Sequence, residues 1–321
     1  MTHDKDGVLI PFDFNQILEH LPTLRNLALG LTVVSFENPI DSSNILPEHW
    51  QVIASIINDK YDDNDGFVVL HGTDTMAFTA SALSFMLDGL AKPVILTGAQ
   101  LPISEPRSDA RENLITALEI ASAGDGKALV PEVCIYFDYE LLRGNRSRKV
   151  ESMQFDAFAS GNYPPLAKAG VKIDYNFTRI RKPDDRPFAL HAKYDPHIAI
   201  IKLFPGIHQA TIESILSTPG LKAVVLETYG SGNAPTSATL IASLKRAITA
   251  GIIIVNISQC PGGMVIQGRY ATSRDLLQAG VIGGADMTTE AAVTKLMILL
   301  GEHSAEKVKE LVGRPMAGEM T

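Results

Sequence analysis

Apolar positions recur along this chain with two alternating periods. Short β-branched or continuous apolar runs are followed by longer stretches in which Leu, Ile, Met and Ala return every three or four residues, the spacing of one face of a helix. Residues 1–13 read as a loop, and Phe14, Ile17, Leu18 and Leu21 predict a short helix over 14–21. The run 31–36 reads as a strand. Pro47 suits the first turn of a helix over 47–61. A strand over 66–70 precedes a helical pattern carrying Met76, Ala80, Leu83, Leu87 and Leu90. A strand over 93–97, a helix opening at Arg107-Ser108-Asp109 and a strand over 132–137 follow. Residues 138–165 break the rhythm and read as a short strand or hairpin, then a loop. The charged, proline-bearing stretch around Lys182-Pro183-Asp184-Asp185-Arg186-Pro187 has the character of a linker. A second alternating unit places strands over 198–203, 223–227 and 252–257, and helices over 211–216, 237–250, 273–279, 289–300 and 305–312. Alternation of this kind predicts an α/β protein with parallel sheets covered by helices.

Composition changes this picture little, but it excludes classes. The 321 residues suffice for two domains, and 45% hydrophobic with 20% charged residues is ordinary for a globular chain. A formal net charge of −8 argues against a nucleic-acid or anionic-membrane partner. The polar start, Met1-Thr2-His3-Asp4-Lys5-Asp6, has no signal-peptide core, and no run approaches the ~18 apolar residues of a membrane helix. Cys134 lies in an apolar strand and reads as core, and Cys260 follows a strand. Two such cysteines give no disulfide framework, so a cytoplasmic, reducing compartment is expected. The eight histidines are scattered without an H-E-x-x-H or Cys/His pairing, so no metal is expected. Neither the dinucleotide nor the phosphate-loop fingerprint occurs, and Gly230-Ser231-Gly232-Asn233 is only a weak glycine-rich turn.

The stretch with the most chemistry is His71-Gly72-Thr73-Asp74-Thr75-Met76, where a strand ends and a helix begins. Ligands of open parallel sheets bind outside such carboxyl ends, and a helix start there offers free N–H donors. Taken alone, Thr73-Asp74 reads as a helix cap, Asp41-Ser42-Ser43 as a capping cluster, and His71 as a hydrogen-bonded interior residue. Arg143, Arg146, Arg148 and Lys149 alone read as a solvated basic loop or a phosphate grip. Together they allow a sharper reading. A partly desolvated lysine beside a Thr hydroxyl can serve as its base.

In this order Asp41-Ser42-Ser43, His71-Gly72-Thr73-Asp74-Thr75-Met76, Thr97-Gly98-Ala99-Gln100-Leu101-Pro102, Arg143-Gly144-Asn145-Arg146 with Lys149, Gly232-Asn233-Ala234-Pro235 and Gly283-Gly284-Ala285-Asp286-Met287-Thr288 closely resemble the bacterial type I (cytoplasmic) L-asparaginases. The resemblance implies a two-domain fold, with a larger N-terminal doubly wound, mainly parallel sheet over 1–182, a linker over 183–196 and a smaller C-terminal α/β domain over 197–321. It implies an amidohydrolase of asparagine catabolism that turns L-asparagine into L-aspartate and ammonia without a cofactor, as a homotetramer built as a dimer of dimers. By position, Thr73 supplies a hydroxyl, Lys149 is its base, and Asp74 meets the substrate ammonium. Asp41, Ser42 and Ser43 would hold the α-carboxylate and α-amino end, and Asn233 would approach a neighbouring subunit's site.

Two departures from the family accompany this resemblance. The threonine nucleophile that forms the family's acyl intermediate ends a first strand as T-G-G-T-I-G, which this sequence does not contain, and Val8 and Leu9 stand where the following lid carries a Tyr. The expectation is a start upstream of Met1, or else a shortened and inactive relative. The family's effector site maps to Ser258, Gln259 and Cys260, but the Arg that helps hold the effector carboxylate corresponds to Glu227. The same allostery is therefore not expected. Two other readings of the chain are an asparaginase-like subunit of a tRNA-dependent amidotransferase and a non-catalytic amino-acid-binding protein.

Overall fold

The computed structural model describes residues 2–3, 9–10, 24, 27–124, 126–183, 186–269 and 271–321. The chain divides into two compact units. Met1–Ala80, Gly89–Ala159 and Pro164–Ala189 form the first, and Ser81–Asp88, Ser160–Tyr163 and Leu190–Thr321 the second.

In the first unit, helix α1 (Pro47–Asp59) begins with Pro47 in its first turn and buries Trp50, Ile53, Ala54 and Ile57, the i, i+3, i+4, i+7 stripe of an amphipathic helix. Strand β1 (Phe67–Leu70), the first turns of helix α2 (Met76–Met86, counted in this unit as far as Ala80), strand β2 (Val94–Thr97), helix α3 (Ala110–Ser122) and strand β3 (Val133–Phe137) follow. A tight hairpin leads from β3 to β4 (Glu140–Arg143). Its turn residues Asp138 and Tyr139 have φ of 45° and 65°, the sign that two-residue hairpin turns need to match strand twist. Strand β5 (Arg148–Lys149) pairs antiparallel with β6 (Phe158–Ala159), and β7 (Ala167–Ala169) and β8 (Ile173–Tyr175) complete the unit.

The sheet runs β8–β7–β4–β3–β2–β1. It is parallel through β1, β2 and β3 and antiparallel beyond them. Every residue of β2 and β3 is buried, as expected of strands covered on both faces. In the β1–β2 register Leu70 lies opposite Thr97. The segments leaving those two residues therefore emerge side by side.

Several sequence expectations are corrected. Residues 31–36 form no strand: Leu31, Val33 and Val34 are 40, 47 and 52% exposed. A β-branched run makes a strand only where a neighbouring ladder takes its backbone groups, and no described residue pairs with this one. Residues 1–13 are not all loop, since Thr2–His3 pairs antiparallel with Leu9–Ile10. The helix after the His71 stretch ends at Met86, so Leu87 and Leu90 are outside it. Leu87–Asp88 is extended, and Gly89 turns the chain with a φ of 66°, a left-handed conformation that glycine adopts without a Cβ penalty. The expected helix over 14–21 lies outside the described residues.

The second unit is a four-stranded parallel sheet in sequential order. Its elements are β9 (Ile198–Lys202), α4 (Gln209–Leu216), β10 (Ala223–Thr228), α5 (Ala238–Thr249), β11 (Ile253–Ser258), α6 (Ala271–Ala279), β12 (Ile282–Gly283), α7 (Thr289–Glu302) and α8 (Ala305–Val312). Ile201, Val224, Leu226, Leu240, Leu244, Ile254 and Leu276 share one core cluster, each such side chain contributing roughly 1.5–3 kcal/mol on burial. Ser237, Thr288 and Ser304 cap α5, α7 and α8 through their hydroxyls. No helix among the described residues is long and apolar enough to cross a membrane.

Buried charge fixes the end of β4. Glu132 and Arg143 are 3 and 4% exposed. Arg143 donates to Glu132 through Nε at 2.6 Å and Nη2 at 3.1 Å, and the Arg181 N–H also donates to Glu132. Removing one partner would strand a buried charge. Glu132→Ala is expected to lower unfolding stability by about 3–5 kcal/mol, and an unchanged urea midpoint would contradict this.

In the second unit, burial pushes the Asp195 carboxyl upward, but hydrogen bonds from Lys222 and His197 overcome it and hold the pKa at about 2. The folded value lies below the ordinary 3.8, so the stabilisation is full above the ordinary value and is lost as pH falls toward 2. Asp195→Asn should remove the part of the acid-unfolding curve that falls between pH 3.8 and 2, as followed by circular dichroism.

Candidate active site

The site builds from the parallel register. Beyond Leu70 the chain runs His71-Gly72-Thr73-Asp74-Thr75 into α2, and beyond Thr97 it runs Gly98-Ala99-Gln100-Leu101. A third segment, Asp41-Ser42-Ser43, packs on the first. Asp41 caps a turn of 3-10 helix over Ser42–Asn44, accepting the Ser43 N–H at 2.8 Å and the Ser43 hydroxyl at 2.7 Å. Those hydrogen bonds, the hydroxyl's first, hold the Asp41 carboxyl below its ordinary value. Thr75 Oγ1 donates to the Ser42 carbonyl at 2.6 Å. Ser42 is buried against Gly72, where an added Cβ would lie 2.5 Å from Ser42 Oγ and 2.8 Å from its Cβ. Glycine at 72 is what lets the Ser42 loop reach the strand end.

Lys149 arrives from β5. Its Nζ lies 2.7 Å from Thr73 Oγ1 and 2.6 Å from Asp74 Oδ1. Its side chain is 19% exposed, whereas Asp74 is 61% exposed, so the carboxylate keeps a face toward solvent that can meet a substrate ammonium. The Thr73 hydroxyl donates to Gln100 Oε1 at 3.2 Å, and Gln100 Nε2 donates to the Gln154 carbonyl at 2.9 Å. Because that carbonyl can only accept, the amide orientation of Gln100 is determined. The Thr73 proton points toward Gln100, and its lone pairs face Lys149.

Gln100 is itself anchored. Asp109 stands at the N-cap position of α3 yet makes no side-chain cap. Its carboxylate instead accepts the N–H groups of Gln100 (2.9 and 3.0 Å) and Leu101 (3.1 Å), and the Asn113 amide at 3.1 Å. The Asn113 amide also donates to the Gly98 carbonyl. Sequence pattern alone gives Gln100, Asp109 and Asn113 no role. The only signal is the four-residue spacing of Asp109 and Asn113, which puts both on one face of α3.

A family model described as Asparaginase, N-terminal matches residues 1–181, and one described as Glutaminase/Asparaginase C-terminal domain matches residues 197–312. The chain belongs to the asparaginase family. It is 44% identical over 291 residues to L-asparaginase 1 of Escherichia coli (strain K12), covering 90% of this chain and 85% of that protein. It is 38% identical over 327 residues to a glutamyl-tRNA(Gln) amidotransferase subunit of Pyrococcus abyssi, covering 100% of this chain and 74% of that protein. The crystal structure of L-asparaginase I from Vibrio cholerae O1 biovar eltor str. N16961 matches with a TM-score of 0.90 and 41% identity, over 100% of this chain and 95% of that one.

The other family-suggested positions lie in the second unit. Asn233 closes a turn in which its main chain exchanges hydrogen bonds with Tyr229. Glu227, Ser258, Gln259 and Cys260 come together at the carboxyl ends of β10 and β11. Glu227 is 6% exposed, accepts the Thr289 hydroxyl and lies 3.6 Å from Lys202 Nζ. Gln259 Nε2 donates to the carbonyls of Leu203 and Glu227. Ser258 Oγ donates to the Gly230 carbonyl and accepts the Cys260 N–H. The reading of the run 143–149 as a solvated basic loop is corrected, because Arg143 and Arg146 are both buried. Among the described residues no group of three His, Cys, Asp or Glu side chains could hold a metal.

Gly72→Ala should force Ser42 away from the strand end, with a stability loss of about 1–3 kcal/mol. A melting temperature equal to that of the unsubstituted protein would rule this packing out.

Proposed function

We propose that the chain is an L-asparaginase, hydrolysing L-asparagine to L-aspartate and ammonia at Thr73, Asp74 and Lys149, with Asp41, Ser42 and Ser43 at the amino-acid end of the substrate. The observation that carries this reading is the placement of the Lys149 ammonium nitrogen within hydrogen-bond reach of both the Thr73 hydroxyl and the Asp74 carboxylate. The set suits a zwitterionic amide. Asp74 and Asp41 offer carboxylates to the α-ammonium, and Ser42 and Ser43 offer donors to the α-carboxylate. In this reading the Thr73 hydroxyl takes the attacking role that the family gives to the T-G-G-T-I-G threonine: it turns from Gln100 to Lys149, which takes its proton as a bond forms to the side-chain carbonyl carbon. The C–N bond then breaks, and that proton leaves with the amide nitrogen as ammonia. Water restores the hydroxyl and releases aspartate.

The protein acts without a cofactor, as a homo-oligomer assembled as a dimer of dimers, with domains over 1–182 and 197–321 joined by a linker over 183–196. The family-model matches at 1–181 and 197–312 support that division. Two cysteines outside any disulfide, one buried and one exposed, suit a cytoplasmic location.

Ammonia release from L-asparagine by the purified chain tests the reading. Lys149→Met and Thr73→Val should each lower kcat by about 10²–10⁴-fold while the proteins stay folded by circular dichroism. Release by the unsubstituted chain no faster than by Lys149→Met would sink the reading.

A further inference from the structure

His71 is a polar residue of the central stretch that the proposed reaction leaves without a task. Its ring bridges two elements. Nδ1 lies 2.6 Å from the Gly72 carbonyl oxygen, and Nε2 lies 2.9 Å from Thr79 Oγ1 on α2. Thr79 is completely buried and accepts the indole N–H of Trp50, on α1, at 3.1 Å. The chemistry of these groups allows one arrangement of protons. A carbonyl oxygen only accepts, so Nδ1 carries a hydrogen. Burial pushes the ring's pKa below its ordinary value, against a smaller upward effect of the Gly72 carbonyl, so the imidazole is neutral and Nε2 is bare near pH 7. Thr79, already accepting from Trp50, donates its own proton to Nε2. The hydrogen bonds therefore run in one sense, from the Trp50 indole to Thr79 to His71 Nε2, and from His71 Nδ1–H to the Gly72 carbonyl.

The Gly72–Thr73 peptide needs such a hold. Gly72 has the widest backbone freedom of any residue type, and it precedes α2, whose first backbone hydrogen bond is from the Thr79 N–H to the Thr75 carbonyl. The peptide unit is planar, so fixing the Gly72 carbonyl also fixes the Thr73 N–H and the direction in which the Thr73 Cα leaves. We propose that His71 is a positioning residue: it sets the plane of the Gly72–Thr73 peptide and thereby the placement of the Thr73 hydroxyl against Lys149, while Trp50 and Thr79 keep its ring in the Nδ1–H form. This rests on the reading of Thr73 and Lys149 as an amide-hydrolysing pair, and the tests separate the two claims.

Asparagine and glutamine at position 71 distinguish positioning from packing. In His71→Asn the amide nitrogen takes the place of Nδ1 and can still donate to the Gly72 carbonyl. In His71→Gln the longer side chain reaches the place of Nε2 and serves only Thr79. On L-asparagine, His71→Gln and His71→Ala should lower kcat by about 10²-fold with KM little changed, and His71→Asn should stay within about tenfold of the parent. Equal losses for His71→Asn and His71→Gln, or a loss confined to KM, would overturn the proposal.

A second measurement does not depend on turnover. In protein labelled with ¹⁵N-histidine, with His71 assigned by difference from His71→Asn, long-range ¹H–¹⁵N spectra near pH 7 should show the neutral Nδ1–H tautomer. Thr79→Val should alter it by removing the partner of Nε2. An Nε2–H tautomer, an imidazolium, or a spectrum indifferent to Thr79→Val would overturn the proposal. If the unsubstituted chain releases no ammonia, the asparaginase reading fails, and the spectra alone decide whether the ring is held as described.

Discussion

The hydrogen bonds of Lys149 to Thr73 and Asp74 tie together parts of the first unit far apart in sequence, with separations of 76 and 75 residues. Closing loops of that length costs conformational entropy, which local structure must offset. Two pieces do so here. The parallel pairing of β1 with β2 brings Thr73 beside Gln100. The antiparallel excursion β3–β4 followed by the β5–β6 pair brings Lys149 back to the same end. The Glu132–Arg143 pair is buried within that excursion, so the path from the sheet to Lys149 is anchored by a charge that has nowhere else to go.

Around that contact the polar groups are oriented by a rule of supply and demand. Carbonyl oxygens and carboxylates only accept, so each determines the sense of the hydrogen bond it receives. The Gln154 carbonyl orients the Gln100 amide, and Asp109 holds the main chain that carries it. Asp109 is placed like a helix cap but spends its acceptors on the neighbouring turn instead. The same logic assigns the protons of the Trp50–Thr79–His71 chain, which ends on the Gly72 carbonyl just before Thr73. A hydroxyl whose side chain and main chain are both held loses little further freedom when a ligand arrives, which is how pre-organisation acts.

The second unit shows the opposite arrangement at its strand ends. Glu227, Ser258 and Gln259 are engaged with Thr289 and with main-chain carbonyls. A carboxylate at 227 that already accepts a hydroxyl and faces Lys202 gives this cluster an electrostatic character different from one built around an Arg. Its hydrogen bonds join the ends of β10 and β11 to the start of α7.

Much of the fold was legible in the sequence because burial leaves a periodic trace. The alternating runs located β1, β2, β3, β9, β10 and β11 and most of the helices to within a few residues, and α8 matched at both ends. The motifs also named Thr73, Asp74 and Lys149 as a set, through family resemblance rather than through spacing. Other features depended on the tertiary structure. The β-branched run at 31–36 has strand propensity but no described partner, because propensity is local and a ladder is not. Arg143 and Arg146 looked like a solvated loop, since the sequence does not show that Glu132 waits inside for Arg143. Gln100, Asp109 and His71 gained meaning only once their acceptors were known, because hydrogen-bond direction is a property of the pair and not of either residue. For this protein the sequence determined which strand end presents Thr73 and Asp74 at the start of a helix. Only the three-dimensional arrangement decided which groups hold Thr73 and in which sense the protons around it run.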